Sequence, residues 1–266
     1  MGRPKWFYEF WIRVWPLGKV ANWLGSRPVI GSLLRPLFSP RDNRAVIIPV
    51  NQAVQGTESV VLPFSLLAPL VERASQRFVL AECICRQGER CRHYPRDLGC
   101  LFLGDGAAMI DPSQGRPVGV EEALSHARRA MEAGLVPLIL HAAFDAYMLG
   151  IPFRRMLAVC FCCDCCCTVR QSLRLGPPLF WDAVLRLPGL TVTVGPECNG
   201  CGACLDRCYV QAISLDDGRV AIGERCKGCG RCVATCPVGA IRLQLAEEAD
   251  VLGGLLALVD ERTEIR

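Results

Sequence analysis

The eighteen cysteines of this 266-residue chain are its most chemically capable residues, and they fall into groups. Near the C-terminus, Cys198, Cys201 and Cys204 are spaced by two residues and Cys208 follows after three more; Cys226, Cys229, Cys232 and Cys236 repeat the pattern. Upstream lie Cys83, Cys85, Cys91 and Cys100, then Cys160, Cys162, Cys163, Cys165, Cys166 and Cys167. A cysteine thiolate is a soft, anionic metal ligand. Adjacent thiols such as Cys165-Cys166-Cys167 are poor material for a disulfide scaffold, so the pattern points to bound metal in a reducing compartment.

The segment ECNGCGACLDRCYVQAISL (197–215) matches ERCKGCGRCVATCPVGAIRL (224–243) with its cysteines offset by 28 residues. These runs resemble the bacterial dicluster ferredoxin family, whose motif they fit over some 50 residues. The resemblance implies two [4Fe–4S] clusters, because in that family the fourth cysteine of each run binds the other run's cluster. One cluster would be held by Cys198, Cys201, Cys204 and Cys236, and the second by Cys226, Cys229, Cys232 and Cys208. Three cysteines two residues apart on a tight loop can each reach a different iron of one cube, while the fourth projects away. Gly200, Gly202, Gly228 and Gly230 let the backbone turn and aim N–H groups inward. Asp217-Gly218 is a hairpin signal. Tyr209 stands where the family has a proline, which should loosen that turn without removing a ligand. Two zinc sites are the competing reading, and they would leave both the spacing and the repeat to coincidence.

The upstream stretches AECICRQGERCRHYPRDLGCLFLG, EEALSHARRAMEAGLV and CFCCDCCC resemble a poorly characterised family of anaerobic iron–sulfur proteins, which join such a domain to a dicluster ferredoxin. From the residues alone, Cys83, Cys85, Cys91 and Cys100 form a set of four able to hold a further cluster. Six neighbouring thiols cannot share one centre, since alternate side chains of an extended segment point opposite ways; Cys160, Cys163 and Cys166 are the candidate subset. At least one additional iron–sulfur cluster is the expectation, with a structural zinc site or a redox dithiol switch as alternatives. Arg86, Arg90, Arg92 and Arg96 are read as neutralising a dianionic cluster or facing solvent. His93 and His141 are read as packed or surface residues, and His126 as a solvent-facing helix residue.

These residues need elements to position them. Segments 45–50 and 77–83 read as strands, 62–75 and 121–133 as helices, and 134–144 as a buried strand. The expected fold class is α+β, a small α/β-like cysteine-rich N-terminal domain followed by a ferredoxin-like domain with an internal pseudo-two-fold repeat. Expected boundaries are a basic aromatic arm at 1–44, the cysteine-rich domain at 45–185, the dicluster domain at 186–246 and a C-terminal helix at 247–266. A hydrophobic fraction of 51% and a charged fraction of 21% are those of a globular chain. The arm carries eight Lys/Arg against Glu9 and Asp42, a surplus exceeding the whole chain's net +4, so the rest is net acidic. Its aromatic, basic, helical pattern suits either a membrane interface or packing on the body. Glu9 and Arg13 interrupt the only candidate secretory leader, and no run reaches 18 apolar residues, so a spanning helix is not expected.

The function expected from these features is relay of low-potential electrons between donor and acceptor oxidoreductases, in the cytoplasm or peripherally on the inner face of the membrane, with contact through residues 1–40. No nucleic-acid partner is expected. The alternatives are a reductase with a catalytic cluster in the N-terminal domain, or a metal- or cluster-carrying scaffold.

Overall fold

Alternation of apolar side chains builds the central sheet. Ala45, Ile47, Phe78, Leu80, Phe102, Leu138, Leu140 and Ala158 are buried toward one face. Val46, Val79, Leu101, Leu103, Ile139, Leu157 and Val159 are buried toward the other, as the period of two requires. The computed structural model describes residues 2–27, 29–30, 32–33, 38–50, 62–208, 210–245 and 251–266. In it these residues lie on β1 (Asn43–Ile47), β2 (Arg77–Leu80), β3 (Leu101–Leu103), β5 (Val136–Ala142) and β6 (Leu157–Cys162), joined by β4 (Gly115–Pro117) and β7 (Val184–Arg186). The sheet order is β4-β2-β3-β6-β5-β1-β7. Every residue of β5 is buried, because helices cover both faces.

The first face is covered by α1 (Lys5–Val14) and the helices Ala143–Leu149 and Thr168–Leu175, with α2 (Gly18–Gly25) joined to the last through Asn22 and Ser172. The second is covered by helices Leu62–Arg73, Val120–Glu132 and Val251–Asp260, through Leu67, Leu70, Ala123, Ala127, Ala130 and Leu255. The class is α+β, and the α/β-like expectation for this region is corrected. All neighbouring strands run antiparallel except β1 and β7, so the helices lie on the faces without linking a parallel series. The reading of His126 as solvent-facing is also corrected. It falls on the buried stripe of its helix beside Ala123, Ala127 and Ala130, is 4% exposed, and its Nε2 lies 2.8 Å from the Gly99 carbonyl. His141 is likewise buried, stacked on Phe153 with Nε2 2.7 Å from that residue's carbonyl.

Two short antiparallel pairs carry the C-terminal repeat. β8 (Leu190–Val194) pairs antiparallel with β11 (Ile241–Leu245), and β9 (Ile213–Asp216) with β10 (Arg219–Ile222). The offset of 28 survives down to single bonds: Gly195 N–H donates to the Ala240 carbonyl at 2.7 Å, and Gly223 N–H to the Ala212 carbonyl at 2.9 Å. Asp217 and Gly218 both take positive φ (45° and 73°), the turn their types favour. Tyr209 and the start of the expected C-terminal helix (247–250) lie outside the described residues.

Among the described residues no helix is long and apolar enough to cross a membrane. α1 turns Tyr8, Trp11 and Ile12 onto the body. Its opposite face leaves Trp6 and Phe10 exposed.

Candidate metal centres

Among the described residues no two cysteines are joined by a disulfide. In the C-terminal repeat they gather across the two runs. Burial pushes the Cys204 thiol up, and the thiols that face it are those of Cys201, Cys236 and Cys198. The Cys232 thiol, also raised by burial, faces Cys229, Cys226 and Cys208 before it meets Cys204. Cys229 is pushed up to about 11 by burial and by Cys208 and Cys226. Each fourth cysteine thus sits with the other run's triplet. The reason is local: Ala212 N–H donates to Cys208 Sγ at 3.1 Å and Ala240 N–H to Cys236 Sγ at 3.3 Å, bonds again related by 28 residues. They turn both thiols back across the pseudo-two-fold.

A four-iron cluster fits these sets. Each offers four thiols to one centre, and N–H groups that favour the thiolate form point at the sulfurs. The loops have no room for side chains at critical points. Gly200 has φ 66°, and a Cβ there would meet the Gly218 carbonyl oxygen at 2.0 Å.

Residues 197–240 match the 4Fe-4S dicluster domain family. The chain therefore carries an iron–sulfur domain in this stretch. Comparison of the chain with curated proteins and with solved structures gives no match.

The dicluster domain docks on the sheet through its second run. The Val50 N–H donates to the Cys229 carbonyl at 3.0 Å, and Arg186 donates twice to the Cys226 carbonyl, at 3.0 and 2.6 Å. Cys208, Cys226 and Cys229 pack against the same core as Cys100, Cys160, Cys162 and Cys167, whereas Cys201 of the first run is exposed.

The ten upstream cysteines divide into two groups that differ from the sequence-based sets. Cys160 and Cys162, two apart on β6, share the first face of the sheet, and Cys100 and Cys167 bury beside them. Cys83 and Cys85 join them: hydrogen bonds from Cys100 and Cys85 hold the Cys83 thiol well below its ordinary range. Cys100 is raised by its bonds with Cys160 and Cys83, and Cys162 by its bond with Cys167. Thr168 Oγ1 donates to Cys85 Sγ at 3.3 Å. These six thiols surround a cavity of about 410 Å³ also lined by Trp11, Trp15, Phe144 and Asp145, and by Cys163. Burial and the Cys83 thiol push the Asp145 carboxyl up to about 7. Ionising one of the thiols raises the cost of ionising the next, so a set of thiolates is stable here only around metal.

The second group is Cys91 with Cys163, Cys165 and Cys166. The structure therefore sets Cys91 apart from Cys83, Cys85 and Cys100, and Cys160 apart from Cys163 and Cys166. β6 ends at Cys162, so Cys163 turns to the second face.

Arg86 lies among both groups, facing the thiols of Cys83, Cys100, Cys163 and Cys162. It is 0% exposed and donates to the carbonyls of Phe161 (2.7 Å) and Leu98, while its Nε has no hydrogen-bond partner among the described residues. This is the functional residue whose weight the sequence hides, since three other arginines stand near it in the chain. Arg96, which approaches Glu82 at 3.9 Å, is half-exposed.

Proposed function

We propose that the protein relays low-potential electrons through two [4Fe–4S] clusters in the dicluster domain, with a further iron–sulfur cluster among the interior thiols of the cysteine-rich domain. Cys198, Cys201, Cys204 and Cys236 would hold the first cluster and Cys226, Cys229, Cys232 and Cys208 the second. Cys83, Cys85, Cys100, Cys160, Cys162 and Cys167 would supply the ligands of the third. The observation that carries this reading is the packing of Cys208, Cys226 and Cys229 on the core that buries Cys100, Cys160, Cys162 and Cys167. Bound there, the clusters supply one-electron outer-sphere transfer, tuned by charge, hydrogen bonds and solvent access. The chain's own part is to exclude water from Cys204 and Cys232, 4% and 8% exposed, and to leave the Cys201 side open to a redox partner. Arg186, Lys227 and Arg225 place positive charge beside the second run.

The test is anaerobic iron and sulfide analysis with EPR of the dithionite-reduced chain. More than about eight iron per chain and a third reducible signal are expected. Colourless protein, or iron that stops at two clusters, overturns the relay or the third cluster respectively.

The cavity favours a second reading, a reductase, since Asp145 titrates near neutrality beside the thiols and can exchange a proton. Cyanide added to the reduced chain should then perturb the third signal; an unchanged spectrum removes the reductase.

The arm supports peripheral membrane contact as part of the same proposal. Trp6, Phe10, Leu17 and Trp23 are each more than half exposed, beside the exposed Lys5 and Arg13. Replacing Trp6 and Phe10 with alanine should lower partition onto anionic vesicles about tenfold in co-sedimentation, from the lost apolar burial. Equal sedimentation of both proteins rules that contact out.

A further inference from the structure

We propose that Cys91, Cys163, Cys165 and Cys166 bind a single zinc ion, distinct from every iron–sulfur cluster of the chain, and that this ion fastens the dicluster domain to the sheet. The four Sγ atoms all lie within 4.8 Å of one another, with Cys91 to Cys165 at 3.6 Å and Cys165 to Cys166 at 3.5 Å. Four thiolates at ~2.3 Å from one zinc, at the corners of a tetrahedron, stand about 3.8 Å apart. A four-iron cube would hold its thiolates wider, because its own iron and sulfide atoms separate them. Among the described residues this is the one group of cysteine, histidine and carboxylate ligands so compact. The interior six thiols are strung around a cavity instead.

Backbone N–H groups point at two of the four sulfurs. The N–H groups of His93 and Tyr94 donate to Cys91. Those of Cys165 and Cys166 donate to Cys163, the latter at 3.2 Å. Two tight turns therefore each present a sulfur already bonded by N–H groups, an arrangement that a divalent ion completes.

Zinc is favoured over a single redox-active iron by what the site holds in place. Asp164, between ligands Cys163 and Cys165, pairs with Arg231 at 2.7 Å, and Tyr94 Oη lies 3.1 Å from the same guanidinium. Arg231 sits in the second run of the dicluster domain, between Cys229 and Cys232. An ion joining Cys91 to Cys165, 74 residues apart, would fix both anchors of Arg231 at once. That is the work of a closed, redox-inert four-cysteine site.

The test uses the full chain, purified anaerobically from cells supplied with iron and zinc. One zinc per chain is expected by mass spectrometry of metals, with zinc-edge absorption giving four sulfurs at ~2.3 Å. The double variant Cys165→Ser/Cys166→Ser should lose the zinc and keep its iron and EPR signals, and amides of 226–236 should exchange faster. If that variant does not fold, the wild type loaded with cadmium-113 should show a tetrathiolate resonance. No zinc, a lone tetrahedral iron in its place, or loss of several irons in the double variant would overturn the proposal. Iron counts fail or hold independently of zinc, so this result is separable from that for the relay.

Discussion

Replacing Arg86 with methionine is expected to strip metal from the cysteine-rich domain while leaving the dicluster domain's EPR signals in place. The side chain is wholly buried and among the described residues no carboxylate pairs with it; its neighbours are thiols and two backbone carbonyls. A buried guanidinium without an anion is far too costly to be retained, so the surrounding thiols must carry the negative charge. Methionine keeps most of the volume, leaves the Phe161 and Leu98 carbonyls without donors, and leaves the thiolates uncompensated. Removing one partner of a buried charge pair costs about 3–5 kcal/mol, a large part of the ~5–15 kcal/mol that holds a domain folded. The denaturation midpoint should therefore fall sharply as iron is lost. Arg86→Lys keeps the charge but cannot span both carbonyls, so it should fall between the two. A methionine variant with wild-type iron and stability would mean that Arg86 compensates no anionic centre among these thiols.

How far this arrangement could be read from the chain depended on the range of the forces that set it. The dicluster runs were legible because a rigid local spacing, repeated after 28 residues, constrains eight thiols within one small unit; the N–H···S bonds at Cys208 and Cys236 repeat with the same offset. The upstream thiols were not, because their partners come from opposite faces of a sheet whose neighbours are far apart in sequence. Cys91 meets Cys165 across 74 residues, and no local rule joins them. Part of the answer was nonetheless available. In LAVCFC (157–162) the period of two puts Cys160 and Cys162 on one face with Phe161 opposite, which separates Cys160 from Cys163. His126 likewise continues the alanine stripe of its helix, a periodicity present in the sequence. Of the arm's two readings, packing on the body holds on one face, where Trp11 and Trp15 line the thiol cavity; Trp6 and Phe10 remain exposed on the face for which membrane contact is proposed.

A last expectation concerns which cluster each fourth cysteine serves, and it turns on non-additivity. Cys236→Ala should remove the centre made with Cys198, Cys201 and Cys204, whose thiols it faces, and not the one built on its own run. Adding Cys201→Ala to that variant should then cost no further cluster, because both substitutions strike the same one; iron should stay at roughly four fewer per chain than wild type. Adding Cys229→Ala should instead abolish both, dropping iron by about eight. If each run kept its own cluster the two double variants would exchange outcomes. The exchange of ligands also has a structural consequence. With Cys208 and Cys236 crossing the pseudo-two-fold, neither half can close around its cluster without the other, so the single variant should lose thermal stability in β8–β11 and β9–β10 together. Amide exchange confined to one pair of strands would show that the halves are not locked by their ligands.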